Sequence, residues 1–137
     1  MDICRISPSS SLFRKNILDD IGWFDSQLPV CEDYDLWLRI TANYKILFVD
    51  EPLIIKYGGH SDQLSHSVEG IELFRIKSLE KLLTSTELSR KNRSLAIKMI
   101  NKKLNIYLQG LIKRRKNIEA EQVKEKIKFW KKNLIEY

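Results

Sequence analysis

The sequence predicts an α/β front half with a few short strands, followed by a C-terminal helical bundle, mostly α by content. Three observations predict it. All three prolines, Pro8, Pro29 and Pro52, lie in the first half. Two short apolar runs, 46–49 and 53–57, are partly β-branched, a composition that suits a pleated strand. From about Val68 onward the apolar residues recur at helical spacing, with no proline and, after Gly70, a single glycine, Gly110. The boundary between the two parts is placed between residues 67 and 68, giving regions 1–67 and 68–137.

Taken in order, Ser9-Ser10-Ser11-Leu12-Phe13 reads as a short extended segment after Pro8, weak as a strand because three serines open it. Lys15 to Ile21 reads as a helix with Ile17, Leu18 and Ile21 on one face. Gly22 follows as its C-cap, since glycine accepts the backbone conformation that ends helices. Trp23-Phe24-Asp25 turns away, and Pro29 marks a loop. Glu32 to Ala42 reads as a second helix, largely buried because Tyr34, Leu36, Trp37 and Ile40 make it apolar on most sides. Ile46-Leu47-Phe48-Val49 and Leu53-Ile54-Ile55-Lys56-Tyr57 read as strands joined by a turn at Asp50-Glu51-Pro52. Gly58-Gly59-His60-Ser61-Asp62 reads as a flexible loop. Three amphipathic stripes follow: Ile71 to Leu83, Leu95 to Leu111, and Val123 to Ile135. Lys113-Arg114-Arg115-Lys116-Asn117 supplies the turn between the last two, so the back half should be a small antiparallel bundle.

The 137 residues are enough for one ordinary core, and apolar residues are spread too evenly for disorder. Charge is not spread evenly. Residues 1–70 carry 6 Lys+Arg against 11 Asp+Glu, a balance of −5, and residues 71–137 carry 18 against 7, a balance of +11. The basic tail is either a solvated helical surface or a surface for an anionic membrane or another acidic partner. Nucleic acid is not expected, because no recognition motif accompanies the basic residues. Cys4 and Cys31 lack the spacing of a metal or redox motif and fit a reduced, cytosolic chain. No apolar run approaches a membrane span, and the N-terminus lacks the apolar region of a signal peptide. The expected location is therefore cytoplasmic, with room for a peripheral place at the inner face of the membrane.

Three segments could carry chemistry. In Cys31-Glu32-Asp33-Tyr34-Asp35-Leu36-Trp37-Leu38-Arg39, three carboxylates open an otherwise apolar helix. Acids favour helix N-termini, but one cap would suffice for structure. In Gly58-Gly59-His60-Ser61-Asp62-Gln63-Leu64-Ser65, two glycines beside a His and an Asp make a loop able to close on a ligand. His66 has no such context. Ser9 to Arg14, read alone, is only a turn-rich segment.

In order, Ser-Ser-Ser-Leu-Phe-Arg, Ile-Gly-Trp-Phe-Asp, Glu-Asp-Tyr-Asp-Leu-Trp-Leu-Arg, Val-Asp-Glu-Pro-Leu and Tyr-Gly-Gly-His-Ser-Asp-Gln-Leu-Ser closely resemble bacterial family 2 glycosyltransferases over Pro8 to Ser65. The resemblance implies the acceptor side of a GT-A type domain. It implies Asp33 as general base of an inverting transfer and Glu32 as the residue that orients the acceptor or the loop. Asp35, Trp37, Tyr57, Gly59, Asp62 and Gln63 fall on the substrate side, although Asp35 and Trp37 also read as structural. His60 matches a loop position that can reach a metal or the diphosphate, with Mg²⁺ or Mn²⁺ neutralising the leaving group. The resemblance begins after the family's nucleotide-binding half and its Asp-x-Asp-type metal site. It therefore implies a truncated enzyme, inactive alone. In the whole enzyme the partners would be a nucleotide-sugar and a glycan or lipid-linked acceptor of polysaccharide biosynthesis. A homo-oligomer covering an open sheet edge is plausible.

Overall fold

A computed structural model describes residues 4–55, 57 and 70–135. Among the described residues, a 3-10 turn at Pro8–Ser10 is followed by five α-helices: α1 (Lys15–Ile21), α2 (Glu32–Asn43), α3 (Ile71–Ser85), α4 (Arg90–Lys113) and α5 (Asn117–Ile135).

The expected α/β front is not formed: the described residues are helical or irregular, and no strand is present among them. A strand exists only where its backbone N–H and C=O groups meet a neighbouring strand. Residues 46–49 and 53–55 meet none among the described residues. Their side chains stay in solvent, with Leu47 93%, Phe48 85% and Ile55 80% exposed. β-branched composition suits a strand but does not supply its partner. The helices need none, because each closes its hydrogen bonds within itself. The expected extended piece at Ser9–Phe13 also begins differently. Pro8 sits at the start of the 3-10 turn, and the Ser7 carbonyl accepts from the hydroxyls of Ser10 (2.9 Å) and Ser11 (2.8 Å). The backbone becomes extended at Ser11.

α1 covers the residues its sequence pattern marks out. Gly22 ends it with φ 84° and ψ 158°, its N–H donating to the Leu18 carbonyl. That backbone region belongs essentially to glycine. A Cβ at Gly22 would meet only the Arg39 guanidinium, at an ordinary 3.6 Å, so backbone strain alone penalises substitution. Gly22→Ala is expected to cost about 1–3 kcal/mol, read as a shift in the urea midpoint at unchanged slope.

α2 has two apolar faces, and Tyr34 to Ile40 is buried without interruption. Leu36, Trp37 and Ile40 pack with Leu18 of α1 and with Phe13, whose ring meets Trp37 edge-on at 6.0 Å. Tyr34 and Leu38 join Val30 and Cys31 in a larger core with α3, α4 and α5. Helices from both parts of the chain therefore share one core. In it α3 contributes Ile76, Leu79, Leu82 and Leu83, and α4 contributes Ile97, Ile100, Leu104 and Leu111. α5 closes the bundle with Ala120, Val123, Ile127 and Trp130, whose indole N–H donates to Glu80 (3.1 Å). Ser89 caps α4 by accepting the Asn92 N–H. No described helix is long and apolar enough to cross a membrane.

Candidate functional site

The carboxylates at the start of α2 divide into two groups with different surroundings. Glu32 and Asp33 are half-buried at the helix mouth, whereas Asp35 is 1% exposed. The residue before them is unusual. Cys31 takes a left-handed conformation (φ 64°, ψ 20°) and makes no side-chain capping bond. A side chain with a Cβ pays for that backbone, and such conformations persist where surrounding structure enforces them. Burial of Cys31 against α3, with its thiol 3.9 Å from the Ile71 carbonyl, provides the enforcement.

Asp33 is fixed by two donors. Its Oδ1 accepts the Tyr34 N–H (2.6 Å) and its Oδ2 accepts the Cys4 thiol (3.2 Å). An ionised carboxylate has about four acceptor positions, so two donors leave capacity for an incoming hydroxyl. The contact also acts on the cysteine. Burial first, and then the hydrogen bond and charge of Asp33, push the Cys4 thiol up to about 12 from 9.0. Because the thiolate is the reactive form, its fraction near neutrality falls by about a thousandfold. Cys4 should thus react very slowly with a thiol reagent in the folded chain. Asp33→Asn should speed that reaction, and equal rates in the two proteins would contradict the contact.

Asp35 faces away from Asp33, into a clamp. Arg39, one helical turn on, donates from Nε to Asp35 Oδ2 (2.9 Å). Its remaining nitrogens donate to the carbonyls of Ile21 (2.7 Å), Gly22 (2.8 Å) and Trp23 (2.8 Å). Lys81 of α3 donates to Asp25 (2.7 Å) and reaches Asp35 (3.3 Å). Lys81 also holds the Asp25 carboxyl below its ordinary value. The Ile-Gly-Trp-Phe-Asp segment is thereby tied to α2 and α3 through side chains of the Asp-Tyr-Asp-Leu-Trp-Leu-Arg segment. An open polar cleft of about 690 Å³ lies on this side, lined by Asp20, Trp23, Asp25, Arg39 and Lys81 among others. Asp33 does not line it, and Arg39 and Lys81 are both engaged in the clamp.

A second polar network lies behind Asp33. Lys103 of α4 is 1% exposed, donates to Glu72 (3.0 Å) and sits 5.7 Å from the Tyr34 ring centre. Glu72 also accepts from Arg75, so the first turn of α3 links α4 to the start of α2. Lys103 occurs on the apolar stripe between Ile100 and Tyr107, a place where a lysine signals a buried partner.

Of the remaining sequence candidates, Trp37 is 3% exposed within the small core and its indole nitrogen has no partner among the described residues. Tyr57 is 76% exposed and belongs to none of the described helices. Gly59, His60, Asp62 and Gln63 lie outside the described residues. Among the described residues no three His, Cys, Asp or Glu side chains converge to hold an ion. Those residues do not by themselves make a Mg²⁺ or Mn²⁺ site.

The chain is similar to two proteins named uncharacterized glycosyltransferase. It is 39% identical over 59 residues to one from Rickettsia felis and 37% identical over 59 residues to one from Rickettsia conorii. Each match covers 43% of this chain and 10% of the relative, so the chain spans about a tenth of the relatives' length. No protein-family model matches it, and no solved structure gives a significant match. These partial similarities relate the chain to glycosyltransferases in general.

Proposed function

We propose that this chain is the acceptor side of an inverting glycosyltransferase of the family 2 kind, with Asp33 as general base. The observation that carries the reading is the placement of Asp33: at the mouth of α2, half-buried, and held by one amide and one thiol with acceptor capacity to spare. The two glycosyltransferase-named relatives support a glycosyltransferase in general.

An acceptor hydroxyl is a poor nucleophile until its proton leaves. In the proposed step its oxygen bonds to the anomeric carbon while the proton passes to the Asp33 carboxylate. The bond from that carbon to the nucleoside diphosphate breaks, and a single displacement inverts the carbon. Glu32, beside Asp33 at the helix mouth, orients the acceptor. The clamp around Arg39 keeps α2 in place beneath them. The nucleotide-sugar, and any Mg²⁺ or Mn²⁺ that helps its diphosphate leave, is bound outside the described residues.

The test uses the intact protein that carries this segment, incubated with nucleotide-sugars and candidate acceptors. Acceptor-dependent release of nucleoside diphosphate, with inverted anomeric configuration in the product, is expected. A product with retained configuration would contradict the single displacement.

A further inference from the structure

The turn between α4 and α5 carries a feature that the catalytic reading does not use. Gln109 to Ile118 contains four consecutive bases, Lys113, Arg114, Arg115 and Lys116, and no acid. All four are exposed. On either side of them stand two exposed isoleucines, Ile112 at 49% and Ile118 at 77%. The nearest acids are in the first turns of α5. Of these, Glu121 is paired with Lys124 (2.6 Å), and Glu119 is exposed.

The corner lies beyond the level at which α3 begins. α3 begins level with Lys103 and Tyr107 of α4, as the Lys103–Glu72 bond and the approach of Gly70 to the Tyr107 ring both show. α4 runs on past Tyr107 to Lys113, which adds roughly 9 Å at the helical rise. α5 packs beside α4 along this part of the bundle, with Leu111 and Ala120 in the shared core. The start of α2 belongs to the same end of the molecule, because Cys31 lies against Ile71.

We propose that this corner docks on an anionic membrane surface, with the four bases at the headgroups and Ile112 and Ile118 entering the boundary with the acyl chains. Basic residues near an anionic leaflet each strengthen attachment about fivefold. Exposed isoleucines beside them add apolar contact that a lipid boundary accepts and a nucleic-acid backbone does not. Single exposed apolar residues are ordinary, but here two bracket the basic run. Docked this way, the molecule turns its Asp33 end toward the bilayer. The docking does not depend on the catalytic reading, and each can fail alone.

Flotation of the intact chain with phosphatidylcholine vesicles, with and without phosphatidylglycerol, tests it. Binding is expected only with phosphatidylglycerol and should weaken as salt rises. Lys113→Gln/Arg114→Gln/Lys116→Gln should reduce partition by about a hundredfold. Lys128→Gln/Lys131→Gln/Lys132→Gln, with the same change in net charge at the far end of α5, should reduce it by no more than about fivefold. Ile112→Ser/Ile118→Ser should weaken binding severalfold and leave its salt dependence unchanged. Every substituted side chain is exposed to solvent, so helicity by circular dichroism should stay constant. Equal losses from the two triple variants would reduce the effect to diffuse charge and overturn the proposal. So would equal binding to neutral vesicles, or displacement by duplex DNA together with no effect of the isoleucine changes.

Discussion

Arg39→Ala should destabilise the chain by about 3–5 kcal/mol, among the largest losses available to a single substitution here. The guanidinium bonds Asp35 and three successive carbonyls together. Without it the Asp35 carboxylate, 1% exposed, keeps among the described residues the Lys81 ammonium at 3.3 Å, and the end of α1 loses its tie to α2. Breaking a buried pair by removing one partner is costly because a charge stays behind unpaired. Arg39→Lys should recover little, since an ammonium cannot hold the same fork of acceptors. Lys81→Ala serves as the contrast. Lys81 is 39% exposed on its side chain, so its pairs are worth no more than about 1 kcal/mol after screening by water. Urea unfolding followed by circular dichroism reads all three. A loss below about 1 kcal/mol for Arg39→Ala would show that the clamp is not what positions α2.

Much of the helical framework was legible in the sequence. The stripe ending at Ile21, followed by Gly22, gives α1 and its cap, and the bases at Lys113–Lys116 fall at the turn between α4 and α5. These features are local: helical period and capping depend on residues within a few positions of each other. The strands were not legible in the same sense. Ile46 to Val49 and Leu53 to Tyr57 have the composition of strands, but pairing depends on a neighbour that composition does not report. The site shows the same division. The Asp35–Arg39 pair has the spacing of helix neighbours and could have been read from it. The thiol of Cys4 on Asp33, 29 residues away, has no local signal. Lys81 joining Asp25 to Asp35 has none either, since it comes from a helix 46 residues beyond Asp35.

Asp33→Asn should slow transfer in the intact protein by about 10²–10⁴, the usual contribution of a positioned general base. The substitution is mild in structure. Asparagine keeps an oxygen to accept the Tyr34 N–H, and the residue is only half-buried, so the fold should survive. What it loses is the ability to take a proton. Glu32→Gln should cost less, because an orienting residue holds the acceptor without receiving that proton.

The direct measurement is the single-turnover rate of sugar transfer by Asp33→Asn in the intact protein, with circular dichroism and nucleotide-sugar binding measured on the same sample. The account predicts a loss of at least about a hundredfold, with helicity and donor binding unchanged. Transfer at the normal rate would show that Asp33 is not the base.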